Sequence, residues 1–243
     1  MHILAAIAAA AALGAAALPG PDLDPGRLSL PRQGLVVARP GGLVLRDLRG
    51  QVLGHLRGFR VVPLYGSRPR GEVAVARGGL TFALGAHGLR RFALPRRDWP
   101  VSERGCHPGP RPYVICGVPY ADRRAASAVY LDGRKLVGAP GLVGHWVSVK
   151  RSPDGRTLLL QWSAECESPV AYLADADGRR LRLIARDAAT ESVALGWARD
   201  GRAVVSFPQG GCGGTYSRPG TYLVDPASRR ATLVLPGVAE LWG

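Results

Sequence analysis

Short apolar runs broken by turn pairs, a near-absence of helical periodicity after residue 20 and an internal repeat of 46 residues predict an all-β chain. Four-stranded units recurring at such a period predict a β-propeller. About five blades fit between Gly34 and Pro236, at roughly 40 residues each. The alternatives are an open or incomplete propeller and a β-sandwich; the sandwich explains short strands but not the repeat.

The chain begins "MHILAAIAAAAALGAAALPG", apolar from Ile3 to Leu18. Ala15-Ala16-Ala17 offers small residues for cleavage, and Leu18-Pro19-Gly20-Pro21 stops any helix because proline lacks the N–H and clashes with the preceding turn. Residues 1–20 therefore read as a signal peptide, with an uncleaved N-terminal anchor second. They imply a secreted, periplasmic or envelope-associated protein. Residues 26–243 read as one propeller domain. Gly34–Leu56 divides into three strands around Pro40-Gly41-Gly42 and Arg49-Gly50, and Glu72–Leu94 repeats the scheme. The segment Gly26–Gly34 is expected to supply the strand that closes the ring. Pro95–Pro112, rich in Gly, Pro and Arg, reads as a long loop. "RPYVICGV" and "SAVYLDGRKLVG" read as the inner part of a further unit.

The second half carries the repeat most clearly. Asp154-Gly155-Arg156 recurs as Asp200-Gly201-Arg202, and Cys166 as Cys212, both 46 residues on. Each unit reads as a first strand, an Asp-Gly hairpin, a long strand, a loop, a Tyr-bearing strand, a turn and a last strand. Asp-Gly between strands is a turn signal, since tight turns need a positive φ that glycine adopts without steric cost. Its recurrence in two units favours a turn over a catalytic carboxylate. Asp175-Ala176-Asp177-Gly178 imitates the start of a calcium loop, but its twelfth position is Arg186 rather than the bidentate Glu that such a loop requires. It too reads as a turn.

The residues "SPDGRTLLLQW…AYLADADGRRLRLI" resemble the WD40-like repeat of TolB-type propellers, over Trp146–Ala185 and, less fully, Val193–Leu235. That family occurs in bacterial envelope proteins and in non-catalytic propeller domains attached to peptidases. The resemblance implies the fold, and often protein binding, but no activity by itself.

With 32 basic and 18 acidic residues the formal charge is +14, almost all of it arginine, since Lys135 and Lys150 are the only lysines. Such a balance suits an anionic partner. The arginines are scattered over turns and strand ends rather than clustered, which argues against a specific polyanion role, nucleic acid included. Membrane contact is expected only through an uncleaved N-terminal segment. An even set of cysteines, Cys106, Cys116, Cys166 and Cys212, in an exported chain suggests disulfides. None has C-x-x-C spacing. Cys166 and Cys212 fall between the second and third strands of neighbouring units, so Cys166–Cys212 and a local Cys106–Cys116 bridge are the expected pairing.

No catalytic, metal or cofactor site is expected. There is no G-x-S-x-G elbow, His55, His87, His107 and His145 lie in different units, and glutamate is scarce. "PQGGCGGTYSRPG" lacks the Lys-Ser/Thr end of a phosphate loop. Trp146, Trp162, Trp197, Tyr172 and Tyr222 fall in or beside strands and are expected to pack between blades. Loops on a rigid scaffold carry function disproportionately, which makes Glu165, Glu167, Tyr216 and Arg218 the candidate contact residues. The expected role is a non-catalytic binding or scaffolding module for a protein or an envelope polymer. The alternatives are a propeller hydrolase or lyase acting on glycans, and a polyanion-binding surface protein.

Overall fold

The computed structural model describes residues 17–62, 71–93, 106–108, 112–116, 127–140, 144–164, 169–184, 191–207 and 219–243. Its strands form five four-stranded antiparallel sheets. Sheet I holds β1 (Gly34–Arg39), β2 (Gly42–Arg46) and β3 (Val52–Arg57), with β20 (Glu240–Trp242) added beside β1. Sheet II is β4 (Arg60–Val61), β5 (Val73–Arg77), β6 (Leu80–Gly85) and β7 (Gly88–Arg91). Sheet III is β8 (Cys106–Pro108), β9 (Tyr113–Cys116), β10 (Ala128–Leu131) and β11 (Arg134–Val137). Sheet IV is β12 (Gly144–Arg151), β13 (Thr157–Ala164), β14 (Pro169–Asp175) and β15 (Arg182–Leu183). Sheet V is β16 (Val193–Trp197), β17 (Ala203–Phe207), β18 (Gly220–Val224) and β19 (Ala231–Pro236).

The middle strands of sheets I, IV and V are apolar on both faces because each of these sheets packs against two others. Along β1, Leu35 and Val37 point into a core shared with sheet V, while Val36 points into a core shared with sheet II. On β13, Leu158, Leu160 and Trp162 face sheet III and Leu159 faces sheet V. A period of two thus sorts neighbouring residues into different cores. Four such cores join I to II, III to IV, IV to V and V to I. Consecutive four-stranded sheets packed face to face are a β-propeller arrangement.

The two chain ends meet in sheet I. Gly34, Leu35 and Val36 pair with Trp242, Leu241 and Glu240. Trp242 is fully buried, its Nε1 donates to Pro31 O at 3.0 Å, and a side chain at Gly34 would collide with its ring. This corrects the expectation that Gly26–Gly34 closes the ring. Pro31 has no N–H to give a ladder. The segment instead packs Leu28 and Leu30 against the I–II core and offers Pro31 O to Trp242. Two smaller expectations also change. Pro95–Pro112 contains β8, and "RPYVICGV" with "SAVYLDGRKLVG" supplies the second to fourth strands of sheet III rather than its inner part.

Ahead of β1 the chain lies along β3. Leu23 N donates to His55 O and His55 N to Pro21 O, both at 2.9 Å, and Leu18 packs against the V–I core. Among the described residues no helix is long and apolar enough to cross a membrane.

Trp242→Ala removes a fully buried ring from the strand that joins the chain ends. It should lower stability by about 3–5 kcal/mol, read as a shifted urea midpoint in far-ultraviolet circular dichroism; an unchanged midpoint would show that the β1–β20 pairing does not hold the fold together.

Candidate functional site

Antiparallel order gives every sheet two unlike ends. The first-to-second and third-to-fourth turns share one end, and the second-to-third connection and the passage to the next sheet share the other. Neighbouring sheets are oriented alike: at the end of β16, Trp197 Nε1 donates to Lys150 O at the end of β12, at 3.0 Å. Likewise Gly243 N, just past β20, donates to Gly71 O, just ahead of β5, at 2.9 Å. The molecule therefore has a turn face and a loop face.

The Asp-Gly pairs belong to the turn face. In the β12–β13 turn, Gly155 N donates to Ser152 O at 2.9 Å and Arg156 N to Asp154 Oδ1 at 3.0 Å, while Gly155 has φ 74. In the β16–β17 turn, Gly201 N donates to Ala198 O at 3.0 Å and Arg202 N to Asp200 Oδ1 at 3.1 Å. The third copy is the false calcium loop between β14 and β15, where Gly178 N donates to Asp175 O at 2.8 Å and Arg179 N to Asp177 Oδ1 at 3.0 Å. The aspartate oxygen caps the backbone N–H just past the glycine, a local role that needs no ligand. The Ser152 hydroxyl, at 2.5 Å, and the Arg156 N–H hold the Asp154 carboxyl below its ordinary pKa. The Arg202 guanidinium does the same to Asp200, with Nη2 at 2.6 Å from Oδ2.

The loop face carries the residues singled out for contact. Glu165, Cys166 and Glu167 fall between β13 and β14, and Cys212, Tyr216 and Arg218 between β17 and β18. These connections join second to third strands in adjacent sheets, as the repeat predicts. The six residues themselves lie outside the described ones. Of the other cysteines, Cys106 is the register partner of Cys116 across β8 and β9.

The aromatic residues are structural. Trp146 meets Trp162 edge to face at 4.9 Å between centroids and Tyr172 at 5.6 Å; Phe207 meets Tyr222 at 5.3 Å. They fill the III–IV and IV–V cores. His55 is buried, with Nδ1 3.1 Å from Gly20 O and Nε2 3.5 Å from an Asp22 carboxylate oxygen. Glu72 pairs with Arg90 at 2.7 Å. Among the described residues, no three His, Cys, Asp or Glu gather as metal ligands.

Polar side chains buried inside the apolar strands have another use. Gln161 on β13 accepts from Ala194 N at 2.6 Å and donates to Ser192 O at 3.1 Å, tying sheet IV to sheet V. Ser127 donates to Cys116 O at 3.0 Å and accepts from Trp146 N at 2.9 Å, tying III to IV. Ser206 lies 3.4 Å from Ala239 N, tying V to I. Each satisfies backbone of an incoming first strand that has no ladder partner on one side. The signal was present in the sequence as a lone polar residue within "LLLQW" and "VVSF".

No family model and no curated protein sequence matches the chain. Solved structures resemble it loosely. TolB from Acinetobacter baumannii is 14% identical at a TM-score of 0.33, over 83% of this chain and 40% of that one. A chain of a nidogen/laminin complex is 13% identical at 0.34, over 87% and 98%. Puromycin hydrolase is 18% identical at 0.32, over 84% and 38%. The chain thus spans well under half the length of the TolB and puromycin hydrolase chains.

Because Asp154 and Asp200 are held below their unfolded pKa of about 3.9, they contribute stability that is present above that pH and is lost as pH falls through their folded values. An Asp154→Asn, Asp200→Asn variant should show a flatter loss of urea midpoint between pH 5 and pH 2 than the parent chain. Parallel curves would refute a stabilising role for these turns.

Proposed function

We propose that the chain is an exported, non-catalytic β-propeller that acts as a binding or scaffolding module at the cell envelope. The observation that carries this reading is the division of labour between the two ends of the sheets. The buried hydroxyl and amide groups of Ser127, Gln161 and Ser206 are engaged in joining sheets. The second-to-third connections of sheets IV and V leave the same end of two sheets that share a core. A rigid scaffold that presents neighbouring connections suits contact with a partner. In this reading Glu165, Glu167, Tyr216 and Arg218 make that contact.

The ring is read as closed, with five blades. Sheet II turns Val73, Val75 and Leu84 toward sheet I, and its opposite face carries Ala74, Ala76 and Ala83. Those alanines are only 5%, 4% and 0% exposed, so that face is covered as well. Small residues there suit close approach by sheet III. The pairing Cys106–Cys116 is supported by their opposite register and by Cys116 not being a free thiol. Cys166–Cys212 is supported by equivalent positions in adjacent sheets.

Two measurements test the reading. Tyr216→Ala, Arg218→Ala should unfold at the parent's temperature yet co-sediment several-fold less with isolated cell envelopes, and the parent should release no reducing ends from envelope glycans. Full co-sedimentation of the variant, or glycan cleavage by the parent, would refute the assigned role. Mass spectrometry of exported, unreduced protein should find Leu18 at the N-terminus and the two bridges named above; a Cys116–Cys166 peptide would overturn the pairing.

A further inference from the structure

The turn face is also strongly and unevenly charged. Most of its aspartates are engaged locally; Asp132, exposed in the β10–β11 turn, makes no hydrogen bond or ion pair among the described residues. Asp47 accepts from the N–H groups of Arg49 and Gln51 at 2.9 and 2.8 Å, and Asp225 from Ser228 N and Oγ at 2.6 and 2.7 Å. The cations of the same turns are not matched one for one. Arg49, Arg134, Lys135, Arg199, Arg229 and Arg230 make no ion pair among the described residues. All are exposed except Arg229, which is half-buried. They come from the turns of sheets I, III and V, and sheet IV adds Arg179 and Arg180, which pair with Asp177 and Asp175 of their own turn, so the charge spreads along the face rather than forming a single pocket.

Backbone conformation sharpens the observation. The third-to-fourth turns of sheets III, IV and V each hold a non-glycine residue at positive φ: Asp132 at 50, Arg180 at 51 and Arg229 at 58. Glycine would occupy these positions without strain. In two of the three the chain places arginine there.

The chemistry of the turns narrows the partner. "DLRG", "SPDGR", "DADGRR", "ARDG" and "PASRR" contain no aromatic residue. Their single leucine, Leu48, packs against the V–I core. These turns offer no aromatic platform for successive bases, which single-stranded nucleic acid binding relies on, and no large exposed apolar side chain to wedge into a bilayer. Guanidinium groups match carboxylate and sulfate oxygens in paired hydrogen bonds.

We propose that the turn face is the docking surface for a linear acidic polysaccharide, held through its carboxylate or sulfate groups by arginines of successive sheets. The proposal rests on the binding-module reading and adds to it a second face and a partner class.

The test compares two triple variants of equal net charge. Arg134→Gln, Arg199→Gln, Arg230→Gln alters the turn face. Arg39→Gln, Arg60→Gln, Arg91→Gln alters exposed residues at the loop ends of β1, β4 and β7. Binding to heparin and to polygalacturonate is measured over a range of salt, with oligo(dT) and phosphatidylglycerol vesicles in parallel. The turn-face variant should bind at least about tenfold more weakly with a shallower salt dependence, while the loop-end variant binds like the parent. Equal weakening of both would show net charge alone at work and overturn the proposal. Tighter binding to DNA or vesicles than to either polysaccharide would also overturn it. A parent that binds neither polysaccharide but still co-sediments with envelopes would sink this inference and leave the binding module standing. A parent that binds and cleaves the polysaccharide would do the reverse.

Discussion

The pairing of Gly34–Val36 with Glu240–Trp242 joins the two ends of the chain within one sheet, and the packing of the other sheets depends on it. Without β20, sheet I would keep three strands and an open edge beside β1. Leu241, which packs against the V–I core, and Trp242, which fills the I–II core, would leave two junctions together. Gly34 makes this possible because only a residue without Cβ lets β1 pass so near the tryptophan ring. Each sheet is marginal by itself, since a four-stranded sheet with two apolar faces must be covered on both.

That mutual dependence explains the polar residues at the junctions. The first strand of each sheet has a ladder partner on one side only, and its other backbone groups face the middle of the molecule. Gln161, Ser127 and Ser206 meet some of those groups, and Lys150 does so for Leu195 O. The same side chains look like candidate catalytic groups when seen apart from the fold. Their hydrogen bonds assign them to cohesion between sheets, and the proposed recognition falls to residues at the two ends.

The ends divide that work unequally. Turn-face segments are short, and aspartate caps and positive-φ glycines hold them, so their cations project from stable positions. Loop-face connections differ in length from sheet to sheet: those after β1 and β5 are two-residue turns, and the one after β17 exceeds the one after β13 although the flanking strands correspond. An extended polymer suits an even spread of fixed charge, whereas a shaped partner suits connections that differ from sheet to sheet.

The sequence by itself determined the strands, the four-stranded unit and the Asp-Gly turns, because a period of two and the positive φ of glycine are local properties that need no distant partner. It also placed Cys166 and Cys212 between equivalent strands of adjacent units, since the 46-residue offset survives any detail of packing. The pairing of β20 with β1 was decided only by tertiary structure. "LSLPRQG" has an alternating pattern that suits a strand, yet Pro31 cannot serve a ladder, while the three-residue β20 is too short to announce itself and is held by Trp242 in the core shared by sheets I and II. Which of the charged turns share a face was not read from the sequence, although the common face of the Cys166 and Cys212 connections was. It follows from the common orientation of the sheets, and that orientation turns scattered arginines into one charged surface.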